Sequence, residues 1–275
     1  MALLFSLNYI VSKLGMKEFA PLAFAWLRVA GAALILSMLG RSEPIPRADR
    51  GRLVLFAILG VAINQTLFLS GLAFTTVQVA ALLITSIPVF TLGAAIVMGR
   101  EQPNAMRIGG IALACAGALL VVGGEGFHGT SRSLLGAILI LINCLSYALY
   151  LVLSKPHMAR LSARAVVARM FAVATVLLLP VAAPSLWRQE WRTLSPQAWL
   201  SLALVILGPT VAAYLLQAWA LAHADSSVVA SYTYIQPVLA TILAAMLFGE
   251  RVRAIVVVAA AMIFAGVWIV SRRTM

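Results

Sequence analysis

Apolar runs of about 20 residues alternate with short polar breaks along the chain, the spacing that membrane-spanning helices require. The runs predict helices at 2–16, 20–39, 52–71, 77–99, 105–123, 133–154, 163–183, 196–219, 226–248 and 253–271. The breaks carry turn chemistry, as in Arg41-Ser-Glu-Pro-Ile-Pro-Arg47, Gly123-Gly-Glu-Gly126 and Pro184-Ser-Leu-Trp187. No break is long enough to hold a separate domain. The expected fold is an all-α integral membrane protein with ten transmembrane helices. The first run begins almost at residue 1, so its helix is short and native residues are expected ahead of it; with no basic leader and no Ala-x-Ala exit, a cleavable signal is not expected.

Composition agrees with that pattern. Of the 275 residues 63% are hydrophobic and 10% charged, against roughly 25% charged in a soluble domain. The net charge of +12 does not point to nucleic acid, because the basic residues sit in the gaps between apolar runs and not on one face with stacking aromatics. If the N-terminus is cytoplasmic, eleven Lys and Arg lie inside (Arg41, Arg47, Arg50, Arg52, Arg100, Arg107, Lys155, Arg160, Arg164, Arg272, Arg273) and seven outside. The positive-inside rule then places both termini in the cytoplasm and the chain, multi-pass, in the inner membrane.

An internal repeat is visible. A shift of 149 residues lays Pro88 on Pro237, Val89 on Val238, Glu101 on Glu250, Ala105 on Ala254 and Gly117 on Gly266 without a gap. Ser12-Lys13 resembles Ser154-Lys155 at a shift of 142, and Arg28 resembles Arg169 at 141. The unit is five helices, 1–123 and 133–275. Because five is odd, the second copy enters the membrane from the opposite side, giving two inverted five-helix repeats with a site expected near the midplane.

These residues resemble the drug/metabolite transporter superfamily, in its ten-helix EamA-type permeases. The first half carries Leu7-Asn-Tyr-Ile-Val-Ser-Lys13, Pro21-Leu-Ala-Phe-Ala-Trp-Leu-Arg28, Ala80-Ala-Leu-Leu-Ile-Thr-Ser-Ile-Pro-Val-Phe90 and Gly99-Arg-Glu101. The second carries Ser146-Tyr-Ala-Leu-Tyr150, Ser154-Lys155, Tyr234-Ile-Gln-Pro-Val-Leu239 and Phe248-Gly-Glu-Arg251. The resemblance implies movement of amino acids or related metabolites, often outward across the inner membrane. The first helix departs from the related four-helix multidrug exporters: it offers Asn8 and Lys13 but no glutamate.

Pro88 and Pro237 fall mid-helix, each freeing the carbonyl four residues earlier, on Ile84 and Thr233. In lipid a freed carbonyl must find a partner or line a polar cavity, so the pair is read as bending helices around a substrate cavity, the alternative being tolerated kinks. Candidates for lining it are Asn8, Asn64, Gln65, Ser86, Tyr147, Tyr214, Gln217, Tyr232, Tyr234 and Gln236, with Thr85, Asn143 and Ser146 nearby. Each could equally serve interhelical hydrogen bonds. The cavity is expected mainly between helices 1, 3, 4, 6, 8 and 9. Arg28 and Arg169 are read as structural pins or as contacts to a substrate anion; recurrence in both halves suits the pin. Lys13 and Lys155 read as snorkelling anchors, and Glu101 and Glu250 as partners of Arg100, Arg251 or a loop.

All eight acids and three histidines fall in loops or at helix ends. Proton relays and sodium sites need ionisable groups within the membrane, so facilitated diffusion or exchange is expected in place of tight proton coupling. No phosphate-binding Gly-x4-Gly-Lys-Ser/Thr, His-Glu-x-x-His or Gly-x-Ser-x-Gly is present, and Cys115 and Cys144 lack metal-ligand spacing. No cofactor, metal or enzymatic activity is expected. The partners expected are a small-molecule substrate and the lipid bilayer. Glycine and alanine lines at Gly109-Gly110 through Gly117 and Ala259-Ala-Ala261 through Gly266 suit either a dimer face or packing of helices 5 and 10 in one chain; monomer and homodimer stay open. Rival readings are a membrane scaffold or sensor, and a membrane-embedded enzyme acting on lipid or peptide.

Overall fold

The computed structural model describes residues 1–39, 44–75, 77–102, 104–125, 131–239, 242–243 and 254–271. Arg41, Glu43, Gly126, His128, Phe248, Glu250, Arg251, Arg253, Arg272 and Arg273 lie outside the described residues.

The described elements are helical, as apolar runs in lipid must be if every backbone group is to be satisfied within its own segment. In chain order they are α1 (Ala2–Gly15), α2 (Pro21–Met38), α3 (Arg47–Phe74), α4 (Val79–Val97), α5 (Ala105–Glu125), α6 (Ser131–Met158), α7 (Ala163–Arg188), α8 (Pro196–His223), α9 (beginning Ser226–Ala230) and α10 (Ala254–Ser271). Among the described residues, α2, α3, α4, α6 (over Leu134–Met158), α7 and α8 are long and apolar enough to cross a membrane; Ala2–Gly15 and Ala105–Gly117 are shorter apolar helices. The protein is a membrane protein.

Local chemistry sets the ends. Pro21 and Pro196 occupy the first turns of α2 and α8, where a missing N–H costs nothing. Ser195 caps α8 by accepting from Ala198 N at 3.2 Å, and the Asn104 side chain accepts from Met106 N and Arg107 N at the start of α5. Gly99, at φ +63°, closes α4; Arg100 N then reaches back to Ala95 O at 2.8 Å, the left-handed stop that favours glycine.

Two kinds of irregularity recur, their last residues 149 positions apart. A π-helical stretch interrupts α3 at Ile58–Ile63 and α8 at Ile206–Ala212. A tighter 3-10 stretch, Ile84–Ser86 in α4 and Ser231–Ile235 in α9, leads into Pro88 and Pro237. A proline cannot donate to the preceding turn, and the 3-10 winding is the local answer at both.

The packing is reciprocal. α2 lies on α7, α4 on α9, and α5 on α10, while α1 packs on α8 as α6 packs on α3. The small-residue lines serve the α5–α10 contact: a Cβ on Gly266 would lie 2.5 Å from Gly110 O and 2.7 Å from Ala114 Cβ. Trp26 Nε1 donates to Thr175 O at 3.0 Å across α2 and α7.

Candidate functional site

At the centre, side chains of α1, α2, α3, α4, α6 and α9 surround a small cavity of about 40 Å³. That is room for a few waters, well below the roughly 300 Å³ or more of a cavity holding a metabolite. Asn8, Asn64, Gln65, Tyr147, Tyr232 and Gln236 line it, as does Arg28. Ile84 and Thr233, the residues whose carbonyls the two prolines release, line it too.

Sequence reasoning missed the apolar and aromatic part of the wall, Phe5, Tyr9, Phe68 and Ile87. For Phe5, Tyr9 and Phe68, their closeness to Asn8 and Gln65 on the same helices was the available signal. Phe5 stacks on Tyr232 with ring centres 5.5 Å apart, and Tyr9 meets the edge of Phe68 at 5.6 Å. Tyr9 also donates to Gln236 Oε1 at 2.7 Å, tying α1 to α9.

Four candidates stand elsewhere. Ser86, Tyr214, Gln217 and Tyr234 are not part of the lining, so α8 contributes no wall and α2 takes its place. Tyr214 and Gln217 form a layer behind it. The Tyr214 ring packs edge-on against Phe171 at 5.0 Å, its hydroxyl donates to Gly60 O at 2.8 Å, and Asn64 Oδ1 lies 3.2 Å away. Gln217 Oε1 accepts from the Tyr147 hydroxyl. The π stretch of α3 supplies carbonyls for this layer: Ser146 Oγ donates to Leu59 O at 2.9 Å. Asn64 Nδ2 donates to Asn143 Oδ1 at 2.7 Å and joins α3 to α6.

The two arginines part company. Arg28 is 1% exposed; its Nε donates to Thr210 Oγ1, in the π stretch of α8, at 2.6 Å, while its Nη1 has no partner. Two more polar atoms of the lining are buried without partners, Asn143 Nδ2 and Gln65 Oε1. The residues around the cavity thus hold two spare donors and one spare acceptor, each buried. Arg169 is exposed and lines a different cavity; α7 turns it outward, whereas α2 turns Arg28 in.

Polar links close the bundle at both ends. Lys13 Nζ caps the carbonyls of Leu72 and Thr75 at 2.6 and 2.8 Å. At the other end Lys155 Nζ meets Asp225 Oδ1 at 2.5 Å, and Arg107 bridges Asp225 and Glu101 at 3.2 and 3.3 Å. Neither lysine simply snorkels; each holds a loop. Glu101 also binds Ser226 and Ser227, at the start of α9, while Arg100 reaches Val152 O instead. The Lys155 ammonium bonded to Asp225 holds that carboxyl below its usual range, with Arg107 adding to the effect. At the Lys13 end, hydrogen bonds from Ser195 likewise depress the Glu18 carboxyl.

Comparison with known proteins matches the model of the EamA-like transporter family at residues 1–123 and 134–272. An uncharacterized transporter of Archaeoglobus fulgidus is 26% identical over 272 residues, 97% of this chain and 93% of the relative. A probable terminal-alkyne amino-acid exporter of Streptantibioticus cattleyicolor is 28% identical, covering 93% and 85%. The uncharacterized inner membrane transporter YedA of Escherichia coli K12 is 26% identical, covering 88% and 79%. A crystal structure with 16% identity aligns over 98% of this chain and 95% of its own with a TM-score of 0.76, a likeness of fold.

Proposed function

The chain belongs to the EamA-like transporter family, and from that premise we propose that it is a secondary transporter exporting a small metabolite, an amino acid or close relative, across the inner membrane by alternating access. The observation that carries the substrate class is Arg28: a fully buried guanidinium on a residue lining the central cavity, anchored through Nε to Thr210 and with Nη1 unpartnered. A buried cation held this way favours an anionic guest, and arginine pairs strongly with carboxylates. Arg28 Nη1 and Asn143 Nδ2 would take the carboxylate and Gln65 Oε1 the ammonium. Phe5, Phe68 and Tyr232 would cover the side chain. The exporter of Streptantibioticus cattleyicolor, named for an amino-acid cargo, supports the class and the direction.

Ten spans in two inverted halves, 1–123 and 133–275, with both termini cytoplasmic, are the architecture this reading takes. Its supports are the twofold match of the family model, the reciprocal helix contacts and the recurrence of the π and 3-10 stretches, whose ends share one interval. A cavity of 40 Å³ between two tied ends corresponds to a closed stage of the cycle. Substrate enters when one end parts and the walls separate.

Flux in proteoliposomes, with pooled labelled amino acids, nucleosides and sugars, tests the proposal. Saturable amino-acid flux is expected, reduced at least tenfold in Arg28→Gln and partly retained in Arg28→Lys. Flux confined to sugars or nucleosides, or none from folded protein, would overturn it.

A further inference from the structure

Arg169 is an exposed cation on a helix apolar enough to cross a membrane, six residues or about 9 Å from the first residue of α7 at 1.5 Å per residue. A cation placed there needs an anion, water or the interface. Its basic neighbours are engaged: Arg160 with Asp49 at 2.5 Å, Arg164 with Leu39 O at 2.9 Å, Arg52 with His157 at 3.3 Å. Among the described residues, neither the Arg169 nor the Arg50 side chain has a hydrogen bond or ion pair. Both line one cavity of about 370 Å³ between α3 and α7, whose remaining walls include Ile45, Leu53, Val54 and Val173.

Two guanidiniums over apolar walls, without partners among the described residues, match one chemistry, an anionic group carried on a hydrocarbon chain. Guanidinium forks bind phosphate oxygens in pairs, and basic pockets between helices at a membrane face take anionic headgroups. The central cavity shares no lining residue with this one, so the site is independent of the transported solute. We propose that the Arg50–Arg169 cavity binds the phosphate of an anionic membrane phospholipid, with Leu53, Val54 and Val173 against its first methylenes. The lipid would join the start of α3 to α7.

Native mass spectrometry of the full chain in neutral detergent, with phosphatidylglycerol or phosphatidylcholine of matched chain length, tests this. At least tenfold greater retention of phosphatidylglycerol is expected in the unaltered protein. The Arg50→Gln/Arg169→Gln pair should lose at least tenfold of that retention, Arg169→Lys less, and Arg188→Gln/Arg192→Gln, which removes equal charge elsewhere, none. Equal retention of the two lipids would overturn the proposal, as would an unchanged Arg50→Gln/Arg169→Gln protein. Inorganic phosphate gives the second arm: displacement of phosphatidylglycerol by equimolar phosphate would identify a site for a free anion and overturn the lipid assignment, whereas persistence of the lipid supports it.

Discussion

Gln65 Nε2 donates to the Tyr214 hydroxyl at 3.2 Å, and the two residues are 149 positions apart, the interval that lays Pro88 on Pro237. On the proposed inverted repeat the two would be counterparts, meeting where an axis exchanging the halves would pass. The same hydroxyl serves the Gly60 carbonyl, so Tyr214→Phe leaves buried polar groups unpaired at about 1–3 kcal/mol each. Its thermal midpoint in detergent should fall clearly below that of the unaltered protein, and removing Gln65 as well should cost less than the two single losses summed. An unchanged midpoint would show the bond to be incidental.

Asp225 gives the Lys155 end a pH dependence. Its carboxyl is depressed below the ordinary 3.8, first by the hydrogen bond from Lys155. A folded value beneath the unfolded one means the stabilisation is fully present above 3.8 and fades as pH falls through the folded value. The pair is partly exposed, at 33% and 41%, so the contribution is about 1 kcal/mol or less. Asp225→Asn should melt slightly lower than the unaltered protein from about pH 5 to 7, the two curves converging only in stronger acid. A gap that widened on acidification would contradict the assignment.

Gly266 leaves no space for a side chain. Its Cβ would lie 2.5 Å from the Gly110 carbonyl oxygen, and a backbone atom yields only if α5 and α10 separate. Gly266→Leu should cost about 1–3 kcal/mol or more, as overpacked sites do. Gly93, with nothing within 4 Å of its would-be Cβ, is the control: Gly93→Ala should hold or raise the midpoint, since alanine favours helix by about 1 kcal/mol. Thermal unfolding of both in one detergent settles the comparison.

Among the described residues, the central cavity has a guanidinium but no carboxylate in its wall. Amino-acid flux in proteoliposomes should therefore persist when internal and external pH are equal and the voltage is clamped to zero. A rate rising steeply with an imposed proton gradient under the same clamp would require a proton-carrying group that this wall lacks.

Several elements were legible in the sequence because their physics is local. Apolar run length marks the long helices, and Pro88 and Pro237 mark the places where helical winding changes. Asn8, Asn64 and Gln236 face inward because an amide in a membrane helix needs partners. Facing, by contrast, depends on the rotation of a helix, and the apolar residues of α7 favour no one side, so periodicity has little to register against. That is why Arg28 and Arg169 looked alike in sequence and part in the structure. The π stretches were equally hidden: Ile58–Ile63 is an ordinary apolar hexamer, and the groups that use its carbonyls, Ser146 and Tyr214, are 87 and 154 residues away.

Those stretches make α3 and α8 unequal to uninterrupted helices of the same 28 residues. A π stretch accommodates a surplus residue while the α-helical flanks keep their facing. Loss of one residue within Ile58–Ile63 would therefore leave Phe56 in the core and Gln65 towards the centre, whereas the same loss a turn later, within the α-helical run, would swing everything beyond it by about 100°. The forgiving deletion would still remove the loosened carbonyls that Ser146 and Tyr214 grip, giving a protein with its outline intact and its centre unfastened.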